Sequence, residues 1–232
     1  MKAFISFLLL TCSIVWSNSA DSETTRKQQS APGSSSPEQQ LYNTAARNLI
    51  SQFSHELEST LSAALKENGP AYAVQVCQTR AQEIAAAFSV GGWSIKRVSE
   101  KWRNFADRPD STERSVLSNL AGSANTLGFE TRWSGPDTAK VFYYYQKIVT
   151  REMCLHCHGD LQTADPELWK QISVAYPYDK ATGYKAGDLR GMFVVSAAYP
   201  AGEETARRLA EGVSIRDLAP KDSVRTDPQS GQ

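Results

Sequence analysis

The feature that most constrains this chain is a pair of cysteines two residues apart, followed directly by a histidine. Residues 154–158 are Cys-Leu-His-Cys-His. This C-x-x-C-H spacing is typical of covalent attachment of a c-type haem. Two thiols so placed can add to the two vinyl groups of one porphyrin edge, and the adjoining imidazole can ligate the iron. One motif predicts one covalently bound haem c, held by Cys154, Cys157 and His158.

Three other uses of the motif have less support. A thioredoxin-like redox pair belongs in a βαβ context that this segment lacks. A structural zinc site needs four ligands, and a second Cys/His pair is missing from the sequence. A plain disulfide would leave both the spacing and the histidine unexplained.

The N-terminus predicts export. Lys2 is the only charge before Asp21, and the apolar stretch Ala3–Trp16 is shorter than the roughly 20 residues that a transmembrane helix needs. It suits the hydrophobic region of a signal peptide over residues 1–20, so we expect a periplasmic protein with no integral membrane span after cleavage. An uncleaved anchor and a lipoprotein site at Cys12 are the alternatives.

Signal cleavage would leave three cysteines, Cys77, Cys154 and Cys157. An odd number outside the cytoplasm means that at least one thiol has a use other than disulfide pairing. The chain has 25 basic and 25 acidic residues, and this balance gives no argument for a nucleic-acid partner.

The pattern along the chain predicts an α+β domain over residues 36–212. A disordered linker (21–35) precedes it and a polar tail (213–232) follows it. Ser36-Pro37 starts a long helix, Gly69-Pro70 ends it, and a second helix runs from about Pro70 to Ser89. Strands are predicted at 93–98, 128–133, 140–149 and 191–198, with shorter helices near 113–121, 165–174 and 203–211. Together they predict an antiparallel sheet behind two N-terminal helices.

The second axial ligand of the iron is less constrained. His156 and Met153 lie within or beside the motif and cannot reach the far face of the ring. His55 points away from the apolar stripe of its helix, and Met192 suits a buried core position. Cys77 lies on the apolar face of the second helix, where it is either a small hydrophobe or a ligand, and spacing does not decide between them.

Several stretches together resemble a family of exported single-haem c-type domains of unknown function, which also occur as sensor modules of histidine kinases and chemoreceptors. The resemblance extends from about residue 40 to residue 200. The matching stretches are AVQVCQTRAQEIA (73–85), IKRVSEKWRNFADRPD (95–110), YYYQKIVTREMCLHCHGD (143–160) and YPYDKATGYKAGDLRGMFVVSA (176–197).

The resemblance implies a PAS-like fold and a haem iron ligated by His158 and by Cys77. Phe105 stands where the family usually has Pro, and Asp107 where it usually has Asn, so this loop is expected to differ in shape. From their chemistry, Arg97 and Arg103 are candidates for pairing with the haem propionates. The alternative is that both are surface arginines.

These observations predict a redox- or gas-responsive haem domain that signals to a separate protein partner not identified by the sequence. A thiolate ligand favours the ferric state, and its loss on reduction would move the helix that carries Cys77. The main alternative is a small periplasmic electron carrier with a stable six-coordinate haem. An enzyme is not expected, because no distal acid–base group is evident.

Overall fold

The computed structural model describes residues 35–122 and 125–219. The predicted signal peptide, the predicted linker up to residue 34, and the tail from residue 220 lie outside these ranges. Within them, none of the helices has the length and apolar character needed to cross a membrane.

The first element of the described residues is a long helix, α1 (Pro37–Ala87), that is broken once. Ser36 caps it by accepting a hydrogen bond from the Gln39 N–H at 3.1 Å. Asn68 and Gly69 leave the helical conformation, Gly69 with φ +77°, immediately before Pro70. The break confirms the two predicted helices, which we call the first segment (37–67) and the second segment (70–87) of α1.

Four antiparallel strands follow in the spatial order β1-β4-β3-β2. They are β1 (Trp93–Val98), β2 (Phe129–Ser134), β3 (Val141–Val149) and β4 (Leu189–Ala198). Each lies within two residues of its predicted position. The predicted α+β class, with an antiparallel sheet behind long N-terminal helices, is confirmed and is consistent with a PAS-like fold.

The remaining elements are short helices. They are α2 (Ser111–Ala121), α3 (Leu155–His158), α4 (Pro166–Ala175) and α5 (Glu203–Ala210), with 3₁₀ turns at Phe105–Asp107, Glu152–Cys154 and Ile215–Leu218. The predicted helices near 113–121, 165–174 and 203–211 correspond to α2, α4 and α5.

The sheet separates two apolar cores because successive strand residues face opposite sides. Tyr144 packs with α1 and α5 in the main core, whereas its neighbour Tyr145 packs with α2 on the other side. Met192 is fully buried in this second core. The interpretation of Met192 as a core side chain is therefore confirmed.

A third, smaller cluster joins the second segment of α1 to α4. Val74 packs there against Leu168 and Ile172, and Cys157 packs against the same cluster. This packing places the cysteine motif, residues 154–158, beside the second segment of α1.

The ordered domain extends beyond the predicted boundary at residue 212. Ile215 is fully buried in the main core, and its N–H donates to Gln52 Oε1 at 2.9 Å. Residues 213–219 therefore belong to the domain and not to the polar tail. The sequence pattern missed them because Ile215 and Leu218 stand alone among polar neighbours.

Candidate functional site

The cysteine motif lies in a compact segment directly after β3, which we call the attachment loop (residues 151–159). A 3₁₀ turn over Glu152–Cys154 continues into α3. The Gly159 N–H closes this turn on the Leu155 carbonyl at 2.8 Å. Cys154 and Cys157 are three residues apart across one helical turn, so their side chains are neighbours on one side of it. Both are free, partly buried thiols.

The orientation of His158 is set by a backbone contact. Its Nδ1 lies 2.8 Å from the Ala181 carbonyl oxygen. Because a carbonyl can only accept, Nδ1 carries the proton and Nε2 carries the lone pair. This is the arrangement found in metal-ligating histidines, whose other ring nitrogen donates to a carbonyl or a carboxylate.

The electrostatic surroundings keep this imidazole neutral. Burial lowers the pKa of His158 well below its usual value, and Arg190 and Arg103 lower it further. The hydrogen bond to Ala181 opposes these effects. A neutral ring with an available lone pair on Nε2 is the form that binds iron.

The loop between α4 and β4 holds the attachment loop by its backbone. The Tyr184 N–H donates to the His158 carbonyl at 3.0 Å, and the Gly183 N–H donates to the Gly159 carbonyl at 2.8 Å. The Tyr184 ring stands at 90° to the His158 ring, with centroids 6.4 Å apart. His158 is thus held on both its main chain and its side chain.

Arg103, predicted to pair with a propionate, contacts protein groups. It forms a largely buried ion pair with Asp179 at 3.0 Å and donates to the Cys157 carbonyl at 2.5 Å. Its guanidinium therefore connects the loop after β1, the α4–β4 loop and the attachment loop. A propionate role for Arg103 stays a prediction, and in the structure the residue braces the motif.

Arg97, the other predicted propionate partner, is partly buried on β1. Within residues 35–122 and 125–219 it has no ion pair or side-chain hydrogen bond. Asp107 lies within its electrostatic range, and burial raises the pKa of that carboxyl, opposed mainly by Arg97 and then by Arg190. Arg97 therefore brings positive charge to the site without a direct partner for its guanidinium.

Cys77 lies on the second segment of α1, one turn after Val74. Gln78 Nε2 next to it donates to the Ala175 carbonyl at 3.1 Å, which joins the segment to the end of α4. Burial raises the pKa of the Cys77 thiol; nearby Arg97 lowers it, and Cys157 raises it. The structure therefore brings Cys77 close to the attachment loop, although 80 residues separate Cys77 from Cys157 in the chain.

The other candidates for the second axial ligand lie elsewhere. His55 and His156 are exposed, and Met153 is 45% exposed at the start of the attachment loop. Met192 is buried in the core beside α2. Among the candidates that lie outside the attachment loop, Cys77 is the one within electrostatic range of Cys157.

The sequence analysis missed two residues of this site. Arg190 Nη2 lies 3.4 Å from His158 Nε2. The Trp169 Nε1–H is buried and has no hydrogen-bond partner within the described ranges. No periodic signal marked Arg190, because it lies at a bulge just before the strand predicted at 191–198. No pattern distinguished Trp169 from an ordinary core aromatic.

This donor set fits the haem that the motif predicts. Two neighbouring thiols and a neutral imidazole match covalent attachment and iron ligation. The guanidiniums of Arg97 and Arg190 suit the two carboxylates of a porphyrin. The orphaned indole N–H of Trp169 beside the Cys157 cluster is a buried donor that lacks an acceptor.

Comparison with known proteins agrees with the resemblance stated above. The sequence matches the Tll0287-like family over residues 17–198. A solved structure described as that of the cyanobacterial heme-protein Tll0287 has 26% sequence identity and a TM-score of 0.49, and the match covers 72% of this chain and 99% of that chain. None of the curated proteins matches.

Proposed function

Because the chain belongs to the Tll0287-like family, whose namesake is described as a heme-protein, we propose that it is an exported protein carrying one c-type haem. Cys154 and Cys157 would hold the haem through thioether bonds, and His158 Nε2 would ligate the iron. The observation that carries this proposal is the contact of His158 Nδ1 with the Ala181 carbonyl, which leaves the Nε2 lone pair for a metal.

Export is part of the proposal. Covalent attachment of haem c in bacteria takes place outside the cytoplasm, and the predicted signal peptide over residues 1–20 would deliver the chain to the periplasm. The three free thiols of residues 35–219 are consistent with this use, because haem attachment would consume two of them and iron ligation the third.

Cys77 is the proposed second axial ligand. Cys157, Arg97 and Arg103 all lie within electrostatic range of its sulfur. The bound haem would supply a one-electron iron couple whose potential the axial ligands set. A thiolate carries a negative charge, so it favours the ferric state.

The position of Cys77 in the fold favours a sensor. The second segment of α1 is separated from the first by the break at Asn68–Gly69, and Val74 packs it on α4. A change in the bond to Cys77 would act on a segment that this break sets off from the rest of α1. The movement would be passed to a protein partner whose identity is open.

An electron carrier is the second candidate, and one observation favours it. Met153, at the start of the attachment loop, is 45% exposed, and Leu161, two residues after the loop, is 53% exposed. Small exposed apolar surfaces suit the transient contacts of redox partners. A carrier would keep Cys77 bound in both oxidation states. We propose no catalytic role, since a haem enzyme needs a distal acid–base group and His55 is exposed.

Mass spectrometry of the denatured protein, produced with a c-type maturation system, tests haem attachment. The account expects the mass of one covalently bound haem, and its loss when Cys154 and Cys157 are both replaced by Ala. A wild-type chain without covalent haem would contradict the proposal.

Amide hydrogen exchange of the matured protein in its ferric and ferrous states tests the sensor. Reduction is expected to speed exchange in residues 70–87. Cys77→Ala should show the fast exchange in both states, whereas the exposed Thr79→Ala on the same segment should behave as wild type. Exchange independent of oxidation state in the wild type would favour the carrier instead.

A further inference from the structure

A β-bulge between β3 and β4 lies at Arg190, whose side chain reaches His158. Along β3 and β4, Ile148 pairs with Gly191 and Val149 pairs with Leu189, so Arg190 has no opposite residue. Such a β-bulge re-aims a side chain and is frequent beside functional sites. Gly191 has φ +155°, and a Cβ there would lie 2.3 Å from the Val98 carbonyl oxygen. The bulge therefore requires a glycine at position 191.

The guanidinium of Arg190 is held from several sides. Its Nη1 donates to Ser99 Oγ at 3.2 Å, and the group lies 5.1 Å from the centroid of the Tyr184 ring. Its Nη2 lies 3.4 Å from His158 Nε2, the atom assigned to the iron. Arg190 thus covers the lone pair on which iron ligation would depend.

The two roles of His158 Nε2 exclude each other. With the proton on Nδ1, Nε2 has one lone pair, which can accept from Arg190 or bind a metal but not both. Iron ligation by Nε2 would therefore require Arg190 Nη2 to give up this contact. The contacts with Ser99 and Tyr184 keep the displaced guanidinium near the site.

A displaced Arg190 needs an anion. Arg97 and Arg103 bring two further guanidiniums nearby, and burial, reinforced by both, lowers the pKa of Arg190. The Asp179 carboxylate is already paired with Arg103. Asp107 is within electrostatic range of both Arg97 and Arg190, so it cannot balance the remaining charge alone.

We propose that Arg190 is a haem-binding residue, whose guanidinium pairs with a propionate of the haem that His158 ligates. This inference rests on the proposed function. It assigns Arg190 the role that the sequence analysis gave to Arg103, whose guanidinium braces the attachment loop.

The test uses the matured protein and its midpoint potential as a function of pH. A propionate that loses its guanidinium partner becomes less acidic, and the haem loses a nearby positive charge. Arg190→Gln should therefore lower the potential near neutral pH and move the propionate-linked inflection upward by about one pH unit. Arg190→Lys should restore most of both values. Arg132→Gln is the matched control, because Arg132 also lies 5.1 Å from a tyrosine ring centroid, that of Tyr143 on β3.

Each outcome has one meaning. An unchanged potential and inflection in Arg190→Gln would overturn the inference while leaving the proposed function intact. Absence of covalent haem in the wild type would overturn the proposed function itself. If Arg190→Gln folds but does not load while Arg190→Lys loads, the cation is needed for binding and the inference holds. If both variants fail to fold, Arg190 is structural and the inference is wrong.

Discussion

At the level of single residues, the hydroxyl of Tyr42 is an unsatisfied group in the middle of the main core. Tyr42 is 1% exposed, its ring centroid lies 4.9 Å from that of Trp133 and 5.3 Å from that of Phe142, and its oxygen has no hydrogen-bond partner among the described residues. Burial is the main cause that raises the pKa of Tyr42 to about 12. The ring stabilises this core, whereas the hydroxyl costs free energy.

Tyr42→Phe is therefore expected to leave the free energy of unfolding unchanged or to raise it by up to about 1 kcal/mol. The unfolded chain releases the tyrosine proton near pH 10 and the folded chain keeps it to about pH 12, so wild-type stability falls between these values. One such group lowers the free energy of unfolding by at most about 1.4 kcal/mol per pH unit. This pH dependence should be absent from Tyr42→Phe. Urea unfolding at pH 8, 10 and 11 measures both effects.

Tyr184→Phe is the control for this pair of expectations. The Tyr184 hydroxyl lies 3.3 Å from Ser99 Oγ and donates to the Arg190 carbonyl at 3.4 Å. Its removal should cost about 1 kcal/mol at neutral pH. A similar loss in Tyr42→Phe would contradict the account of an unpaired hydroxyl.

Gly191→Ala should destabilise the protein because the bulge has no room for a Cβ. The added carbon would meet the Val98 carbonyl oxygen at 2.3 Å in a backbone conformation that favours glycine. A loss of about 2–4 kcal/mol is expected from strain and overpacking. Gly187→Ala is the control, since Gly187 also has a positive φ but no atom within 4 Å. Equal losses in the two variants would show that the close contact at Gly191 has no effect.

The motif residues could be predicted from sequence because the chemistry depends on local spacing. Cys154, Cys157 and His158 are neighbours in the chain and remain so in the fold. Their partners could not be predicted, because the Ala181 carbonyl and Arg190 reach His158 only through the register of the α4–β4 loop and a bulge in β4. Non-local pairing leaves no periodic signal in a single sequence.

At the level of elements, α4 holds the second segment of α1 in place. Ile172 is fully buried between them, with Leu168 and Val74. Across the break, an exposed ion pair between Glu58 and Arg151 links the first segment to the attachment loop. Both segments of α1 therefore contact the region of the motif, but only the second does so through buried apolar side chains.

Ile172→Ala is expected to lower the free energy of unfolding by about 2–4 kcal/mol, through lost burial and a residual cavity. In the matured protein it should also loosen the position of Cys77, seen as a growing high-spin fraction in the ferric spectrum. Val174→Ala on the same helix is the control, because Val174 is 77% exposed and should change neither quantity. A wild-type spectrum in a destabilised Ile172→Ala protein would show that α4 does not position Cys77.

The element boundaries were predictable where a capping residue marks them. Ser36 accepts from Gln39, and Asp165 caps α4 by accepting from Glu167 and Leu168. The break at Gly69-Pro70 was likewise visible in the sequence. The α3 turn was not predicted, because four residues with no apolar period do not indicate a helix.

At the level of the whole molecule, the sheet has a different helical cover on each side. The main core lies between the sheet, α1, α5 and the 3₁₀ turn Ile215–Leu218, and the second core lies under α2. The motif lies where the second segment of α1 and α4 meet. The 3₁₀ turn Ile215–Leu218 packs on the main core through Ile215, whose N–H donates to Gln52.

Ile215→Ala tests whether residues 213–219 belong to the domain. A fully buried isoleucine should cost about 2–4 kcal/mol when truncated, with a single cooperative unfolding transition. Leu127→Ala is the control, since Leu127 is 75% exposed and its truncation should change stability by less than about 0.5 kcal/mol. Equal stability of Ile215→Ala and wild type would return these residues to the tail.

The central claim is that one haem iron is bound between His158 and Cys77. The most direct measurement is a low-temperature electron paramagnetic resonance spectrum of the ferric protein, matured with covalent haem. The account predicts a low-spin signal of the thiolate type, which disappears in Cys77→Ala. A His/Met or bis-histidine signal would remove Cys77 from the iron and favour the electron carrier. A high-spin signal would mean an open coordination position and contradict the proposed ligand pair.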